Sequence, residues 1–178
     1  MLRDYLMLWG GADIHPSIYG EQPLDYSGPF NRERDKAEIA SYHEYLAAGK
    51  PIIGVCRGAQ LLCALNGGTL YQHVPQHRNN SHGLICSDGS VIKSAAADHH
   101  QVMRPEGNYK LLAWDDKPAQ VYSDNGYFSV FKIPEVVYWP DTKCLGIQPH
   151  PEWEQPNSDF VKYCNKLCKE LFNLEGVF

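Results

Sequence analysis

The sequence predicts an open α/β fold, a sheet flanked by helices, and three observations predict it. The first third of the chain alternates short apolar runs with helical patterns, the order of elements that builds such a sheet. The run PIIGVC, residues 51–56, is continuous, apolar and rich in β-branched residues, as a strand buried on both faces should be. From 109 to 148 the pattern changes to short strands with turn signals between them. At 178 residues, 43% of them apolar, the chain can bury a sizeable core, and one domain covering 1–178 is expected.

YLMLW, residues 5–9, ends at Gly10-Gly11 and predicts a buried strand running into a tight loop. Residues 12–31 carry Pro, Gly, Asp and Asn and predict a loop. From about Asp35 to Ala48 a helix is expected, with Ile39, Tyr42 and Leu46 on one face and Gly49 and Pro51 as stop signals. Arg32, Arg34 and Lys36, interleaved with Glu33 and Asp35, predict a solvated helix start. After PIIGVC a second helix runs from about Gly58 to Leu65 and stops at Gly67-Gly68.

Residues 72–108 are polar and His-rich, with HGLIC and SVIKSA as short ordered pieces and 79–83 (NNSHG) as polar loop. The strands that follow are YKLLAW, AQVYS, YFSVFKI, EVVYW and CLGIQ, with Asn125-Gly126 as a hairpin turn. Their Tyr and Trp residues are expected to pack the sheet. A last helix is expected over about 157–173, with Asn157 and Ser158 as candidate caps and Phe160, Cys164, Leu167 and Leu171 as its buried stripe.

A net charge of -5 gives no general electrostatic reason to bind nucleic acid. No apolar stretch reaches the roughly 18 residues of a membrane helix. The six cysteines lie without any C-x-x-C pair and, in part, in core or helix patterns. They predict reduced thiols and a cytoplasmic protein.

The chemistry-bearing stretch is GVCRGAQ, residues 54–60. A residue at a sharp strand-to-helix turn projects beyond the sheet edge on strained backbone. Gly54 and Gly58 remove the side chains that would collide there. The sulfur of Cys56 then faces free helix amides, which would draw a thiol pKa from about 8.5 into the range of roughly 4 to 7. The amide of Arg57 is the natural first donor to an oxyanion. On this heptapeptide alone a buried structural cysteine fits equally well. Cys63, further along the same helix, reads as core.

A nucleophilic cysteine needs a base. In CLGIQPHPEW, residues 144–153, an apolar strand leads to His150, with Glu152 two positions on, pointing the same way in extended chain. Pro149 and Pro151 restrict the backbone around the imidazole. Cys56 and His150 both follow strand carboxyl ends, where open α/β sheets carry their sites.

G-x-C-x-G-x-Q on a strand–helix turn, followed much later by H-P-E, resembles the class I glutamine amidotransferases. Within that superfamily the likeness is closest to the γ-glutamyl hydrolase branch, the C26 peptidases. GGADIHPSIYGE at 10–21, LNGGTLYQHV at 65–74 and DHHQV at 98–102 carry it further, over nearly the whole chain. The resemblance implies a flavodoxin-like open, mostly parallel sheet with added antiparallel strands. It implies that Cys56 attacks a γ-glutamyl amide, that His150 takes and returns the proton, and that Glu152 orients His150. It implies an oxyanion site between the amide of Arg57 and one from Gly10-Gly11, and substrate contacts from Gln60, His99, His100 and Gln101. The path would be acylation to a γ-glutamyl thioester intermediate with loss of ammonia or an amine, then hydrolysis by water to glutamate, with no cofactor.

Three features depart from the family's pattern. Trp9 stands where Pro is usual, Pro149 where an aromatic residue is common, and the usual first β-α-β unit is missing. The last predicts exposed strand edges unless the chain starts late or an oligomer covers them. His73, His77, His82, His99 and His100 suggest a metal, but no acid or cysteine spacing completes a tetrahedral set, so no metal is expected. Most are expected in polar loops around a cleft, and His43 on an exposed helix face. Three functions follow: a stand-alone hydrolase of γ-glutamyl amides or glutamine, a glutaminase subunit feeding ammonia to a synthetase partner, or an inactive shortened relative that binds or supports. A homo-oligomer is a further candidate assembly.

Overall fold

The structure, a computed structural model, describes residues 2–75, 77–78, 80–123 and 126–178. In chain order its elements are β1 (Leu6–Leu8), α1 (Arg32–Ala47), β2 (Ile52–Val55), α2 (Arg57–Leu65), β3 (Thr69–Tyr71), β4 (Asn80–Cys86), β5 (Val91–Ala97), β6 (Val102–Arg104), β7 (Lys110–Asp115), β8 (Ala119–Ser123), β9 (Gly126–Val130), β10 (Pro134–Trp139), β11 (Cys144–Ile147) and α3 (Asp159–Phe172). Short 3₁₀ turns at Pro16–Ile18 and Pro151–Trp153 punctuate the loops.

Seven strands form the main sheet in the order β1-β2-β11-β10-β7-β4-β5. β1, β2 and β11 run parallel, and the remaining pairings are antiparallel. The flavodoxin-like α/β class is as the sequence predicts. The balance differs from the expected mostly parallel sheet: parallel pairing is confined to three strands. Parallel neighbours need a crossover helix, whereas the later strands are too closely spaced in sequence for anything but turns and hairpins.

The sheet separates two apolar layers, and alternation along each strand assigns its residues to them. Ile52, Val137, Trp139 and Cys144 face α1 and α2, packing with Leu61, Leu62, Tyr42 and Tyr45. Ile53, Val136, Leu145 and Ile147 face α3, packing with Phe160, Cys164, Leu167 and Cys168. All six cysteines are free and buried. Among the described residues no helix is long and apolar enough to cross a membrane.

Helix ends follow their caps. The Asn31 side chain accepts from the Arg34 amide at 3.0 Å, so α1 begins earlier than its apolar spacing suggests. Of the two candidate caps of α3, Ser158 serves, accepting from Val161 N at 3.1 Å. His43 is exposed on α1, as expected. β3 and β6 pair with each other and were not evident from sequence, because three residues carry no periodicity. The described part of 79–83 opens β4 rather than a loop. The expected Asn125-Gly126 turn includes Asn125, which lies outside the described residues; its flanking strands β8 and β9 do pair.

Candidate active site

Cys56 follows β2 directly and caps α2 with φ 51° and ψ −109°, a conformation side-chain-bearing residues rarely adopt. Its amide donates to Ile147 O at 2.8 Å and its carbonyl accepts from Gln60 N at 3.1 Å. The flanking glycines make the turn possible. A Cβ on Gly54 would lie 2.4 Å from the Gly58 carbonyl carbon, and one on Gly58 would lie 2.2 Å from Leu8 O. Helix, turn and neighbouring strand thus touch backbone to backbone. Gly58→Ala is expected to cost about 1–3 kcal/mol by overpacking, lowering Tm by roughly 2–12 °C at about 2–4 °C per kcal/mol. A thermal melt without that drop would show that α2 does not seat on β1 this closely.

His150 is fixed from several sides. Its amide donates to Ala96 O at 2.8 Å, and its ring stacks on Trp153 at 3.6 Å between centroids with 2° between planes. Nδ1 lies 2.7 Å from Glu152 Oε1, while the buried Nε2 has no hydrogen-bond partner among the described residues. The pair does not arise from extended alternation, as the sequence suggested. Glu152 sits in the Pro151–Trp153 3₁₀ turn, which folds the carboxylate back to the ring.

Gly10 closes the group. A Cβ there would lie 2.9 Å from His150 Cε1 and 3.5 Å from Cys56 Cβ, so sulfur-bearing and imidazole-bearing residues meet at one point. The carbonyls of Trp9 and Gly10 accept from Arg34 at 2.7 and 3.0 Å. In a trans peptide the N–H opposes the C=O, so the Gly10 and Gly11 amides point away from Arg34. Gly11 has φ 140°, and a Cβ on it would lie 2.3 Å from Arg34 Nη1.

Arg34 is therefore no solvated charge. It pairs with Glu38 at 2.7 Å; Glu38 also binds Arg57, and Arg57 binds Asp35 at 2.5 Å. Arg57 is buried with these partners, so its side chain is structural, while its amide lies beside the Cys56 thiol and favours the thiolate. One ion-pair chain from α1 thereby holds both candidate oxyanion walls. The sequence offered only a weak signal for it, Arg34 and Glu38 one turn apart.

A cavity of about 820 Å³ unites Cys56, His150, Glu152, Gly10, Gly11, Gln60, His99 and His100. Gln101 does not line it: its side chain is buried behind and reaches Gln72 O at 3.4 Å, and its carbonyl accepts from Gln60 Nε2 at 2.9 Å. His100 pairs with Asp13 at 2.9 Å, and His99 is buried beside Gln101 O at 3.2 Å. Sequence inspection missed Asp13, Arg78, Asp98 and Trp153, which also line the cavity, because isolated polar residues in loops carry no spacing signal.

The thiol state differs from expectation. Burial pushes the Cys56 pKa up to about 12, the nearby carboxylates of Glu152, Asp98 and Asp13 add to the rise, and the Arg57 amide offsets only part of it. In the free protein the thiol is neutral, and a base must take its proton during reaction. Alkylation of Cys56 by iodoacetamide should therefore accelerate about tenfold per pH unit from neutrality into the strongly alkaline range. A plateau reached near neutral pH, with the adduct mapped to Cys56, would mean a preformed thiolate instead.

The chain is similar in sequence and in fold to known proteins. The sequence matches the Peptidase C26 family over residues 2–123. The glutamine amidotransferase-like protein YvdE of Lactococcus lactis subsp. lactis (strain IL1403) is 48% identical over 179 residues, covering 89% of this chain and 70% of YvdE. A glutamine-hydrolysing GMP synthase subunit from Ignicoccus hospitalis is 23% identical over 151 residues, covering 80% of this chain and 73% of that one. A Thermoplasma acidophilum crystal structure of a GMP synthase subunit protein shares the fold, with a TM-score of 0.61 at 16% identity over 96% of this chain and 73% of its own. The chain spans 70%, 57% and 50% of the lengths of three curated relatives.

Proposed function

This chain belongs to the peptidase C26 family of the class I glutamine amidotransferase superfamily, and on that premise we propose that it hydrolyses γ-glutamyl amide bonds through Cys56, His150 and Glu152. The observation that carries the proposal is His150 Nε2, without a hydrogen-bond partner among the described residues, held against Glu152 through its other nitrogen and sharing one cavity with a strained Cys56.

His150 Nε2 takes the thiol proton as Cys56 Sγ attacks the γ-carbonyl carbon. The tetrahedral oxyanion accepts hydrogen bonds from the Arg57 amide and from Gly10 or Gly11, a geometry made before the charge forms. Collapse breaks the C–N bond, and His150 returns the proton to the leaving amine. Water, deprotonated by His150, then cleaves the thioester and frees glutamate. Glu152 keeps Nδ1 protonated and favours the imidazolium formed in both halves. Charge complementarity supports a glutamyl group in the cavity. Arg78 suits its α-carboxylate, and Asp98 or Asp13 suits its α-ammonium.

Similarity to a GMP synthase subunit favours one second reading, a glutaminase subunit that delivers ammonia to a synthetase partner. Purified protein treated with a glutamine-mimicking diazo-ketone, with the adduct mapped by mass spectrometry, tests the shared chemistry. Label on Cys56 is expected. Amine and glutamate released from γ-glutamyl amides by the protein alone favour the hydrolase, whereas labelling without turnover favours the ammonia-delivering reading. Folded protein left unlabelled would return the chain to an inactive binding role.

A further inference from the structure

A second convergence of titratable side chains lies beyond the catalytic cavity, across three neighbouring strands. β4 supplies His82, β7 supplies Asp115 and β10 supplies Glu135, while His77 approaches from the segment before β4. Its own cavity, about 260 Å³, is lined by His77, His82 and Asp115. Local spacing offers no acid to complete a histidine set; the fold brings one from about fifty residues away.

Glu135 has no exposed surface, and neither carboxylate oxygen has a hydrogen-bond partner among the described residues. His82 Nε2 is likewise buried without one and stands 3.4 Å from Glu135 Oε1. The nearest imidazole nitrogens, His82 Nε2 at 3.4 Å and His99 Nε2 at 3.7 Å, are too far for good hydrogen bonds, and a carboxylate buried with only such long contacts gains from a bound cation. One ligand atom from each of His77, His82 and Glu135 lies within 4.8 Å of the others. A tetrahedral metal with bonds of about 2.0–2.1 Å keeps its ligand atoms about 3.3 Å apart, close to the His82–Glu135 separation. Nδ1 of His77 lies 3.3 Å from Pro75 O. In the metal-free chain Nε2 donates to Asp115 Oδ2, so an ion would take the place of that proton, with the Pro75 carbonyl accepting from Nδ1, the outer-shell arrangement typical of metal-bound histidine. Asp115 Oδ2, 2.9 Å from His77 Nε2, stands ready as a fourth donor or as a partner for bound water.

We infer that His77, His82 and Glu135 form a structural site for one transition-metal dication of the zinc class. Two imidazoles with carboxylate suit such an ion better than calcium or magnesium, which prefer oxygen cages. The ion would pin the segment carrying Arg78 to the sheet. Glu135 Oε2 also lies 3.7 Å from Nε2 of His99, which lines the catalytic cavity, so the site braces that wall from behind. The proposed hydrolysis does not run through it.

The test is Zn²⁺ binding to full-length protein stripped with a chelator, read by calorimetry and by elemental analysis after desalting. About one Zn²⁺ per chain is expected, retained in Cys56→Ala, with affinity reduced at least about tenfold in His82→Ala and Glu135→Gln. Circular dichroism reports whether each variant is folded. Where one is not, the visible spectrum of the Co²⁺-loaded wild type decides: tetrahedral bands without thiolate charge transfer support the site. Absence of stoichiometric metal, unchanged affinity in the folded variants, or a thiolate signature overturns it.

Discussion

Cys56→Ala should lower kcat for γ-glutamyl amide hydrolysis by about 10⁴- to 10⁶-fold, the scale on which nucleophiles of such triads act. KM should change far less, because Cβ and the cavity wall remain. His150→Ala should fall in the same range, and the double variant should be little worse than either single one, since the residues act as a unit. Glu152→Gln should lose about 10²- to 10⁴-fold. It keeps the shape opposite Nδ1, now 2.7 Å from a carboxylate oxygen, but loses the charge that favours the imidazolium. Cys63→Ala should leave kcat unchanged, because its sulfur faces Thr69 O at 3.4 Å, on the buried face of the helix. Steady-state kinetics on the purified variants, checked for fold, decide the matter. A Cys56→Ala enzyme retaining a few per cent of the rate would show that the nucleophile lies elsewhere.

Asp35→Ala should destabilise the protein by about 3–5 kcal/mol, because it leaves a buried guanidinium half-paired. Arg57 is 1% exposed, and Asp35 and Glu38 are the carboxylates that hold it. Asp35 also accepts from the His15 amide at 3.2 Å, so a second interaction goes with it. The drop in Tm should be roughly 6–20 °C for a chain of this length. By contrast Lys36→Ala, which breaks an exposed pair with Glu33, should leave the melt unmoved. Differential scanning calorimetry on the two variants separates the readings: equal, small shifts would mean that the Arg57 network carries no structural weight. Because Arg57 follows the proposed nucleophile and Arg34 holds Trp9 and Gly10, residual folded Asp35→Ala should also show a lower kcat.

Much of the fold was legible because its signals are local. PIIGVC is apolar throughout since β2 is covered on both faces, and the Phe160–Leu171 stripe repeats at helical spacing since α3 buries one side. Three-residue strands such as β3 and β6 left no trace, being too short to show a period. The charge run at the head of α1 misled because burial is not written in residue type. Asp35 is an ordinary first-turn acid until Arg57 is brought under it.

Residue order alone specified the α/β class, the glycine-flanked turn at Cys56 and the nomination of His150 and Glu152, because backbone sterics and short-range spacing act within a few residues. Other features emerged with the folded chain: Gly10 stands between Cys56 and His150, burial keeps the thiol protonated, Gln101 lies behind the cavity, and Glu135 meets His77 and His82. Each of these depends on which distant strands become neighbours, and desolvation and charge pairing are properties of that neighbourhood rather than of any stretch of chain.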